Sequence, residues 1–577
     1  MATLRRLVWS ALYAAYAITP TVADAKGSYL WDPPMNNEAN VYPRVIELKH
    51  AGSENGKLLA TWEHWYTKGP DTSDPDGTPG SFIIRESNDG GNSWSTLTSV
   101  NDTQTGPGHP CARFWQPFFF EFPKNLGNYP EGTLLLVGNL VPFNKTFTEF
   151  FTWRSGDHGR TWESVGSWQH GGTTTAGIWE PFLYLDSQDR LVAAFSDERE
   201  AASHSQMLVH VISEDGGESW GEVVRDVASE AQSDRPGMVT VTRMDNSEYI
   251  MSYEICNRPG CPVHVKRSQD GVTWNPTDMG TPIATTDGVY AGSAPYLVWD
   301  GSVKQLVLAP HSSWDAITDL KGPRNDRTVF INKNYGTGEW FWATSPWYVN
   351  NASKACNSNY SPHLLPRSEG VIRYTAPASE GTTGQCSERT GQAPIGVLPY
   401  RSNFSANGEA GWINFNGEWS ISGSEYSVAP VGDVEARALT GASAWTDYEI
   451  SADVMIAGSS GVVGLAARVT APMYGANAFK GYMAAINSFT GNLTVSRVAH
   501  NMAVLKSQAH PGGIQGNKWY HLSLQVQRFQ LTATLTSDQG SSKTTYKIID
   551  NSWPQGVTGL LARNGGGSFK NVEIVSI

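Results

Sequence analysis

The hydrophobic residues of this chain fall into short runs separated by polar turns. Between residues 41 and 374 the runs are four to eight residues long and are bounded by Gly, Asp or Asn. Short runs rich in β-branched and aromatic residues predict strands rather than helices. The predicted strands are Val41–Leu48, Leu58–Trp62, Thr133–Gly138, Arg190–Phe195, Met207–Ile212, Tyr249–Tyr253, Leu306–Ala309 and Val371–Tyr374.

One polar turn recurs along the same region. Its form is Ser155-Gly156-Asp157-His158-Gly159-Arg160-Thr161-Trp162, with related copies that start at Ser87, Ser213 and Ser268 and a decayed copy over 332–340. In such a turn the Asp carboxylate accepts backbone N–H groups, Gly supplies a positive φ and Trp packs the turn on its sheet. We therefore interpret these turns as hairpin devices without a catalytic role.

The spacing of the turns predicts a repeat architecture. Their aspartates, at positions 89, 157, 215 and 270, are separated by 68 (157−89), 58 (215−157) and 55 (270−215) residues. A repeat of that length suits the four-stranded blade of a β-propeller. Residues 28–397 have room for six blades of about 60 residues, and on spacing alone five or seven remain open.

The pattern changes near residue 398, where the repeated turn disappears. Residues 448–454 alternate between apolar and polar, as do the segments that carry Leu522, Leu524 and Val526, then Phe529, Leu531, Ala533 and Leu535. Such alternation marks antiparallel strands with one buried face. Residues 398–577 are therefore predicted to form a separate β-sandwich of jelly-roll type, either carbohydrate-binding or purely structural.

Composition supports an all-β protein with more than one domain. The 577 residues include 58 Gly and 22 Trp, and 17% are charged. The net charge of −13 argues against nucleic acid as a partner and favours a neutral ligand such as an oligosaccharide or polysaccharide. We expect a monomer that has no membrane partner.

The N-terminus has the features of a secretion signal. Arg5 and Arg6 precede an apolar run, and small residues at 23–25 offer a cleavage site, so residues 1–25 are predicted to be removed and the protein to be extracellular. Secretion permits disulfides and glycans. Pairs Cys256–Cys261 and Cys356–Cys386 are possible, with Cys111 left over, although spacing does not fix connectivity. Glycosylation sequons occur at Asn101, Asn144, Asn351, Asn359, Asn403 and Asn492.

Two glutamates are the candidate catalytic residues. Glycoside hydrolysis usually needs one protonated and one ionised carboxyl group. Glu180 lies in Trp179-Glu180-Pro181, just before a predicted strand, and Glu254 ends the run from Tyr249. They are 74 residues apart (254−180), which places them in neighbouring blades. No zinc-binding pattern is present, and no cofactor is expected.

Four segments together resemble a known family. They are Trp179-Glu180-Pro181-Phe182-Leu183-Tyr184, 235–241 (Arg-Pro-Gly-Met-Val-Thr-Val), 249–254 (Tyr-Ile-Met-Ser-Tyr-Glu) and 356–361 (Cys-Asn-Ser-Asn-Tyr-Ser). Across residues 28–395 the chain resembles glycoside hydrolase family 93, the fungal exo-α-1,5-L-arabinanases. The resemblance implies a six-bladed propeller, catalytic glutamates at 180 and 254, and a retaining mechanism that releases arabinobiose from the non-reducing end of arabinan. The chain departs from that single-domain family in two places. It carries a C-terminal sandwich, which resembles laminin-G-like or concanavalin-like domains, and it has an insertion at 256–261.

Further residues are candidates for binding the substrate. Tyr360 lies where related propellers place a pocket tyrosine, and Trp115 and Trp179 can stack on sugar rings. Polar groups on early inner strands or near the glutamates can bind hydroxyls; these are Arg44, His64, Asp197 and Arg235. A mutual salt bridge between Asp197 and Arg235 is the simpler interpretation of that pair.

Two alternatives remain open at this stage. An exo-sialidase would need a cluster of arginines for its anionic substrate, for which Arg44, Arg113, Arg235, Arg324 and Arg327 are available. A secreted non-catalytic propeller would use the same scaffold to bind carbohydrate. Within the arabinanase hypothesis, Glu180 is the nucleophile and Glu254 the acid/base. This assignment depends on which of the two glutamates has its pKa raised by its environment.

Overall fold

The computed structural model of this protein describes residues 27–33, 38–66, 80–104, 109, 113–142, 144–316, 320–322, 324–349, 351, 356–380, 385–405, 410–537, 540 and 542–577. The predicted signal segment and Cys111 lie outside these residues. In the described residues the regular structure is strands and one short 3₁₀ turn at Gly52–Glu54. None of the described segments forms an apolar helix of the length that a bilayer crossing requires.

Six four-stranded antiparallel sheets form the blades of a propeller. The chain starts with β1 (Ser28–Trp31) and then enters blades one to three in order. Blade one is β2 (Glu38–Glu47), β3 (Leu58–Tyr66), β4 (Ser81–Ser87) and β5 (Ser95–Asn101). Blade two is β6 (Arg113–Glu121), β7 (Leu134–Val141), β8 (Glu149–Ser155) and β9 (Glu163–His170). Blade three is β10 (Ile178–Leu185), β11 (Leu191–Asp197), β12 (Met207–Ser213) and β13 (Val224–Val227).

The second half of the ring carries one insertion. Blade four is β14 (Arg235–Arg243), β15 (Tyr249–Cys256), β16 (Val263–Ser268) and β17 (Thr281–Pro282). Blade five is β19 (Tyr296–Asp300), β20 (Gln305–Ala309), β23 (Thr328–Asn332) and β24 (Phe341–Thr344). It is interrupted by a small three-stranded ribbon of β18 (Val289–Gly292), β21 (Ser312–Asp315) and β22 (Leu320–Lys321). Blade six is β25 (His363–Pro366), β26 (Val371–Glu380) and β27 (Gln385–Pro394), completed by β1.

The structure confirms the six-bladed prediction and shows how the ring closes. Strand β1, from the beginning of the chain, pairs antiparallel with β27 as the outermost strand of blade six, so that Ser28 lies opposite Thr390. The second and third strands of a blade are covered by neighbouring blades on both faces. For that reason β7 and β11 are buried along their whole length, whereas the outermost strands β5 and β9 are largely solvent-exposed.

The recurring Asp turns all connect the third and fourth strands of their blades. In blade two, Asp157 accepts hydrogen bonds from the hydroxyl groups of Ser155 (2.8 Å) and Thr161 (2.6 Å) and from the backbone of Arg160 and Thr161. Burial opposes ionisation of Asp157, but these donors outweigh it and lower its pKa. In the decayed turn of blade five, the amide oxygen of Asn332 accepts the N–H of Gly336 (2.9 Å), as the first serine does in the intact turns.

The described cysteines form two disulfides, Cys256–Cys261 and Cys356–Cys386. One predicted glycosylation site is incompatible with the fold. Asn359 is 2% exposed, and its side-chain amide donates to the carbonyl oxygens of Pro310 and His311, both at 3.0 Å. That nitrogen is therefore inaccessible to glycosylation in the folded protein.

The C-terminal region forms the second domain, a sheet of 13 strands folded into a sandwich. Its strands are β28 (Tyr400–Ser402), β29 (Trp412–Phe415), β30 (Trp419–Ser422), β31 (Glu425–Thr440), β32 (Tyr448–Ala457), β33 (Val462–Thr470), β34 (Lys480–Asn487), β35 (Asn492–Ala499), β36 (Met502–Ala509), β37 (Trp519–Gln527), β38 (Gln530–Ser537), β39 (Lys543–Ile549) and β40 (Val557–Ser576). The long β40 pairs with β31 and β33 over its first half and with β32 over its second.

The predicted alternation in this domain holds along the strands. In β32 every second residue from Tyr448 to Ile456 is buried, and Leu522, Leu524, Leu531 and Leu535 are buried on β37 and β38. Phe529 is the exception, because it lies in the hairpin turn between β37 and β38 and is 60% exposed.

The sandwich is attached to blade five through backbone hydrogen bonds. Ala343 of β24 forms a β-bridge with Ala442, and Ser443 N–H donates to the carbonyl of Trp342 (2.9 Å). Side chains extend the contact, since Trp445 Nε1 donates to the carbonyl of Gly396 (3.2 Å). This pairing holds the two domains in one orientation.

Candidate active site

The axis of the propeller is lined by one strained residue from each blade. Tyr42, Gln116, Glu180, Met238, Ala294 and Ser361 all have positive φ, between 40° and 63°. In blades one to four this residue forms a bulge in the innermost strand, and in blades five and six it lies two residues before that strand. Such conformations cost about 1–3 kcal/mol each in a non-glycine residue and cluster at functional sites.

Glu180 occupies this position in blade three. It lies within β10, at the bulge between Trp179 and Phe182, and not before the strand as the sequence suggested. Its Oε2 accepts hydrogen bonds from Ser196 Oγ (2.5 Å) and from the backbone N–H of Met238 (3.1 Å). Its own N–H donates to Gln116 Oε1 (3.0 Å). Residues of blades two, three and four therefore hold Glu180, two through its carboxyl group and one through its backbone N–H.

Glu254 lies in the neighbouring blade, on the second strand β15. It is 9% exposed, and its Oε2 accepts the backbone N–H of Ala294 (2.7 Å). Glu254 is paired across the sheet with Gly237, the residue before Met238. A Cβ atom on Gly237 would lie 2.2 Å from Gln206 Nε2, so a larger residue there would displace the Gln206 side chain.

The two carboxyl groups interact electrostatically. Burial raises the pKa of Glu180 to about 7; the Ser196 hydrogen bond lowers it and the charge of Glu254 raises it. Burial also raises the pKa of Glu254, against the hydrogen bonds from Ala294 and Ser293. Two neighbouring carboxyls with raised pKa values retain one proton between them at mildly acidic pH.

Aromatic side chains form the wall of the pocket. Burial raises the pKa of the Tyr360 hydroxyl well above its usual value, and the charges of Glu180 and Glu254 raise it further. Tyr360 therefore lies near both glutamates. Its ring is 6.5 Å from that of Tyr42 and 5.5 Å from that of His311, measured between centroids. Burial lowers the pKa of His311 to about 4, so this imidazole is neutral near pH 7.

Arg44 is buried where blades one and six meet. It is 4% exposed and donates to the carbonyl (3.2 Å) and the hydroxyl (2.9 Å) of Ser361. Its guanidinium stacks on Tyr42 at 4.0 Å and lies 5.0 Å from the ring centroid of Tyr296. Arg44 thus braces blade six against blade one rather than offering all its donors to a ligand.

Arg235, Trp179 and Trp115 lie on the rim beside the glutamates. Arg235 donates to Glu198 Oε1 and to Gln206 Oε1 (2.7 Å), and its charge lowers the pKa of Glu254. Trp179 Nε1 donates to the other oxygen of Glu198 (3.0 Å). The rings of Trp115 and Trp179 are 6.1 Å apart, and both are half-buried. The rim therefore combines a cation with two indole rings.

One predicted substrate-binding residue, Asp197, is engaged away from Arg235, and the neighbour of His64 makes the contact with blade two. Asp197 is engaged by Arg199, whose Nε and Nη2 donate at 2.9 and 2.7 Å, and this pair faces blade two. The acid that meets Arg235 is instead its neighbour Glu198. His64 and Glu63 are consecutive residues of β3, so their side chains point to opposite faces of the strand. Glu63 is the one that accepts the N–H of Gln116 (3.2 Å). One residue of offset reverses the face of a strand.

The sequence interpretation also missed several pocket residues, although a signal was present. Of the six positive-φ positions, five precede a proline, in Tyr42-Pro43, Gln116-Pro117, Glu180-Pro181, Ala294-Pro295 and Ser361-Pro362. The sixth, Met238, precedes valine. Aligning the blades on this Xaa-Pro step would have predicted that Tyr42, Gln116 and Ser361 share the axis with Glu180.

Another buried acid lies on β27, the third strand of blade six. Glu388 is fully buried, and burial raises its pKa well above the usual value, against the charge of Arg44. A cavity of about 580 Å³ occupies the far end of the axis and includes Phe118, Phe182 and Tyr296 in its lining. The residues that line it do not include the two glutamates, so we do not assign the chemistry to it.

The described residues contain no cluster of three or more His, Cys, Asp or Glu side chains suited to a metal ion. The chemistry available from the arrangement is acid and nucleophilic catalysis by carboxyl groups beside aromatic side chains.

Comparisons with known proteins identify solved glycoside hydrolases with a similar propeller. An α-L-arabinofuranosidase of Fusarium graminearum, described as GH93 and solved with arabinobiose, is 27% identical, with a TM-score of 0.52 over 64% of this chain and 97% of that one. An α-L-arabinanase of Penicillium chrysogenum, also complexed with arabinobiose, is 27% identical, with a TM-score of 0.51 over 64% of this chain and 98% of that one.

Residues 432–561 match a family model described as the C-terminal lectin domain of galactocerebrosidase. No curated protein matches the chain. The resemblance of the propeller to glycoside hydrolase family 93 is confirmed by these solved structures, and their class confirms the prediction of a glycoside hydrolase.

Proposed function

We propose that this protein is a secreted exo-acting hydrolase of α-1,5-L-arabinan that works by a retaining mechanism with Glu180 and Glu254. The observation that carries the proposal is the pair of electrostatically coupled, buried glutamates in a strained axial pocket of a propeller similar to arabinan-degrading enzymes. Buried titratable groups with perturbed pKa values in a pocket are the usual mark of a catalytic site.

The closed floor of the pocket supports an exo mode of action. Arg44, stacked on Tyr42 and bonded to Ser361, fills the axis beneath the glutamates. A blind pocket admits the end of a chain but not its middle. The end of a neutral polysaccharide also suits the site, since Tyr360 and the two rim tryptophans offer aromatic surface for sugar rings.

The hydrogen bonds favour Glu180 as the nucleophile. Both donors to its carboxyl converge on Oε2, which fixes the group and leaves Oε1 to attack the anomeric carbon, and they offset part of the rise that burial causes in the pKa of Glu180. Glu254 then gives its proton to the departing sugar oxygen. In the second step it takes a proton from water, and the resulting hydroxide displaces Glu180 from the sugar.

The sialidase alternative lacks its arginine cluster. Arg44 is committed to Ser361, Arg113 donates to the carbonyl of Pro142, and Arg235 is paired with Glu198. Arg324 binds Asp287 beside the sandwich, and Arg327 stacks on Tyr348. These five side chains are held at separate places, so no guanidinium triad faces the glutamates.

The test combines product analysis with matched glutamine variants. On linear arabinan the wild type should release arabinobiose, and each of Glu180→Gln and Glu254→Gln should lower kcat by at least 10³-fold. With an aryl arabinoside that carries a good leaving group, azide should restore turnover of Glu254→Gln and give a product of retained configuration. The same outcome with Glu180→Gln instead would reverse the two roles.

Glu248→Gln is the control for these variants. Glu248 is an acid in blade four that pairs with Arg267 on the surface, and its replacement should leave kcat unchanged. Full activity of Glu180→Gln on arabinan, or turnover of a sialoside and not of arabinan, would contradict the proposal.

A further inference from the structure

A cleft of about 530 Å³ lies between the sandwich and the ribbon of blade five. The propeller contributes Asp287, Asp315 and Arg324, and the sandwich contributes Lys480, His500 and Trp553. A smaller cavity next to it shares Asp315, Arg324 and Met473 and includes Trp314. The volume lies within the range of small-ligand sites.

The cleft is connected to the active site by two strands. Strand β18 runs from Gly288, in the cleft, to Ser293 and Ala294, whose N–H holds Glu254. Strand β21 starts after His311, in contact with Tyr360, and ends at Asp315 in the cleft. At about 3.3 Å per residue, the four steps from His311 to Asp315 span roughly 13 Å and the six steps from Gly288 to Ala294 roughly 20 Å.

The walls of the cleft are rigid. Asp287 Oδ2 accepts from Arg324 Nη1 (2.8 Å), from Trp342 Nε1 (3.0 Å) and from the backbone N–H of Ala471 in the sandwich (3.1 Å). These bonds cross the domain junction and fix both walls before any ligand arrives. Preorganised walls lower the entropic cost of binding.

The chemistry of the lining selects a neutral, hydroxyl-rich ligand. Two carboxylates, Asp287 and Asp315, balance two cations, Arg324 and Lys480, so the cleft favours neither an anion nor a cation. Trp553 supplies a half-buried indole with Lys480 Nζ 5.9 Å from its centroid. The indole Nε1 is buried and has no hydrogen-bond partner among the described residues, although a buried Trp N–H usually has one.

We propose that this interdomain cleft is a second carbohydrate site, which binds a neutral oligosaccharide segment of the polysaccharide whose end enters the axial pocket. The inference rests on the proposed function for the identity of the sugar but not for the existence of the site. The Trp553 indole stacks on a sugar ring, and Asp315, Lys480 and Gln555 bind hydroxyls. The sandwich thereby keeps the enzyme on its polymer.

The experiment measures polymer binding on the full chain that carries Glu180→Gln, so that turnover does not consume the ligand. Affinity electrophoresis with linear arabinan, and with galactan and xylan as further neutral polymers, gives the dissociation constants. Adding Trp553→Ala should weaken binding to the preferred polymer at least tenfold. Lys480→Ala should weaken it by a smaller factor.

A matched control is available in the same domain. Trp519 is also a partly buried tryptophan under a lysine, with Lys570 Nζ 4.0 Å from its centroid, but it lies outside the cleft. Trp519→Ala should leave binding unchanged. In the active enzyme, Trp553→Ala should raise KM for the polymer and leave kcat/KM for an aryl arabinoside unchanged.

The outcomes separate this inference from the proposed function. Hydrolysis of arabinan with equal polymer affinity in Trp553→Ala and Trp519→Ala would overturn the second site and leave the proposed function intact. Trp553-dependent binding of another neutral polymer, without arabinan hydrolysis, would support the site and refute arabinan as the substrate. If Trp553→Ala does not fold, Gln555→Ala takes its place. Unchanged polymer binding in both Gln555→Ala and Lys480→Ala would then overturn the inference.

Discussion

The protonation of Glu180 is controlled by one serine at the centre of blade three. Ser196 Oγ accepts the N–H of Met238 (3.1 Å) and donates to Glu180 Oε2 (2.5 Å). Because the backbone donor occupies a lone pair of the serine oxygen, the hydroxyl proton is directed at the carboxylate. Ser196 thus stabilises the ionised form of Glu180 without being accessible to substrate, since it is fully buried.

Replacing this serine should change the pH dependence of the enzyme. In Ser196→Ala the lost donor raises the pKa of Glu180 above about 7, so the pair keeps its shared proton to higher pH. We expect the alkaline limb of the kcat/KM profile to move up in pH and kcat at pH 5 to fall about 10- to 100-fold. Ser252→Ala, which removes a buried hydroxyl bonded to Thr240 (2.8 Å), should leave the profile in place. An unshifted alkaline limb in Ser196→Ala would show that Ser196 does not control this proton.

At the scale of elements, the Asp turns stabilise the ring by joining neighbouring blades. The turn of blade three contacts the inner hairpin of blade two, where Tyr129 donates to Glu218. In the turn of blade four, the carbonyl of Asp270 accepts a hydrogen bond from the N–H of Ser187 in blade three (2.9 Å). Arg373 of blade six donates to the carbonyl of Gly90 in the turn of blade one. The turns therefore act between sheets, beyond their own hairpins.

Removing one turn aspartate should lower stability and leave catalysis intact. Asp157→Ala deletes the acceptor of four hydrogen bonds, and we expect the free energy of unfolding to fall by about 1–3 kcal/mol, with kcat unchanged. Because the folded state lowers the pKa of Asp157, its contribution is present above the unfolded pKa near 3.9 and is lost as pH falls through the folded value.

Denaturant titrations at pH 7 and pH 3 measure the free energy of unfolding that Asp157→Ala loses relative to the wild type, and this loss should be smaller at pH 3. Asn334→Ala in the decayed turn is the control, since the side-chain amide of Asn334 donates one bond, to Thr337 (2.7 Å). An equal loss of stability in the two variants would contradict the role given to the aspartate.

At the scale of the whole molecule, a buried ion pair links the propeller to the sandwich. Asp287 and Arg324 have side chains 9% and 6% exposed, and Asp287 also accepts the N–H of Ala471. Burial disfavours the Asp287 anion, but the charge of Arg324 and the hydrogen bonds outweigh it and lower the pKa. The junction is thus stabilised by a desolvated charge pair as well as by the β-bridge at Ala343 and Ala442.

Breaking that pair from one side should cost more than replacing both partners. Asp287→Ala leaves Arg324 buried without its carboxylate, and we expect a loss of about 3–5 kcal/mol. The double variant with Arg324→Met should recover part of it, because no charge then remains buried. Calorimetry of the full chain measures the stability of the single and the double variant. A double variant less stable than Asp287→Ala would refute the ion-pair explanation.

The sequence by itself determined the architecture. The spacing of Asp157 and its counterparts predicted the blades, and alternation in 448–454 predicted the sandwich, because both depend on local periodicity that each segment carries within itself. The motifs around Glu180 and Glu254 likewise predicted a hydrolase with these two acids in adjacent blades, and the structure brings them together.

The tertiary structure alone decided which other side chains surround them. The choice of Glu198 over Asp197 depends on the face of one strand, and the convergence of Tyr42, His311 and Glu254 requires blades one, four and five to meet at an axis. The interdomain cleft exists because β24 pairs with a loop of the sandwich, and no periodicity within either segment encodes that meeting. Local pattern fixes elements, whereas a site is built from contacts between residues far apart in the chain.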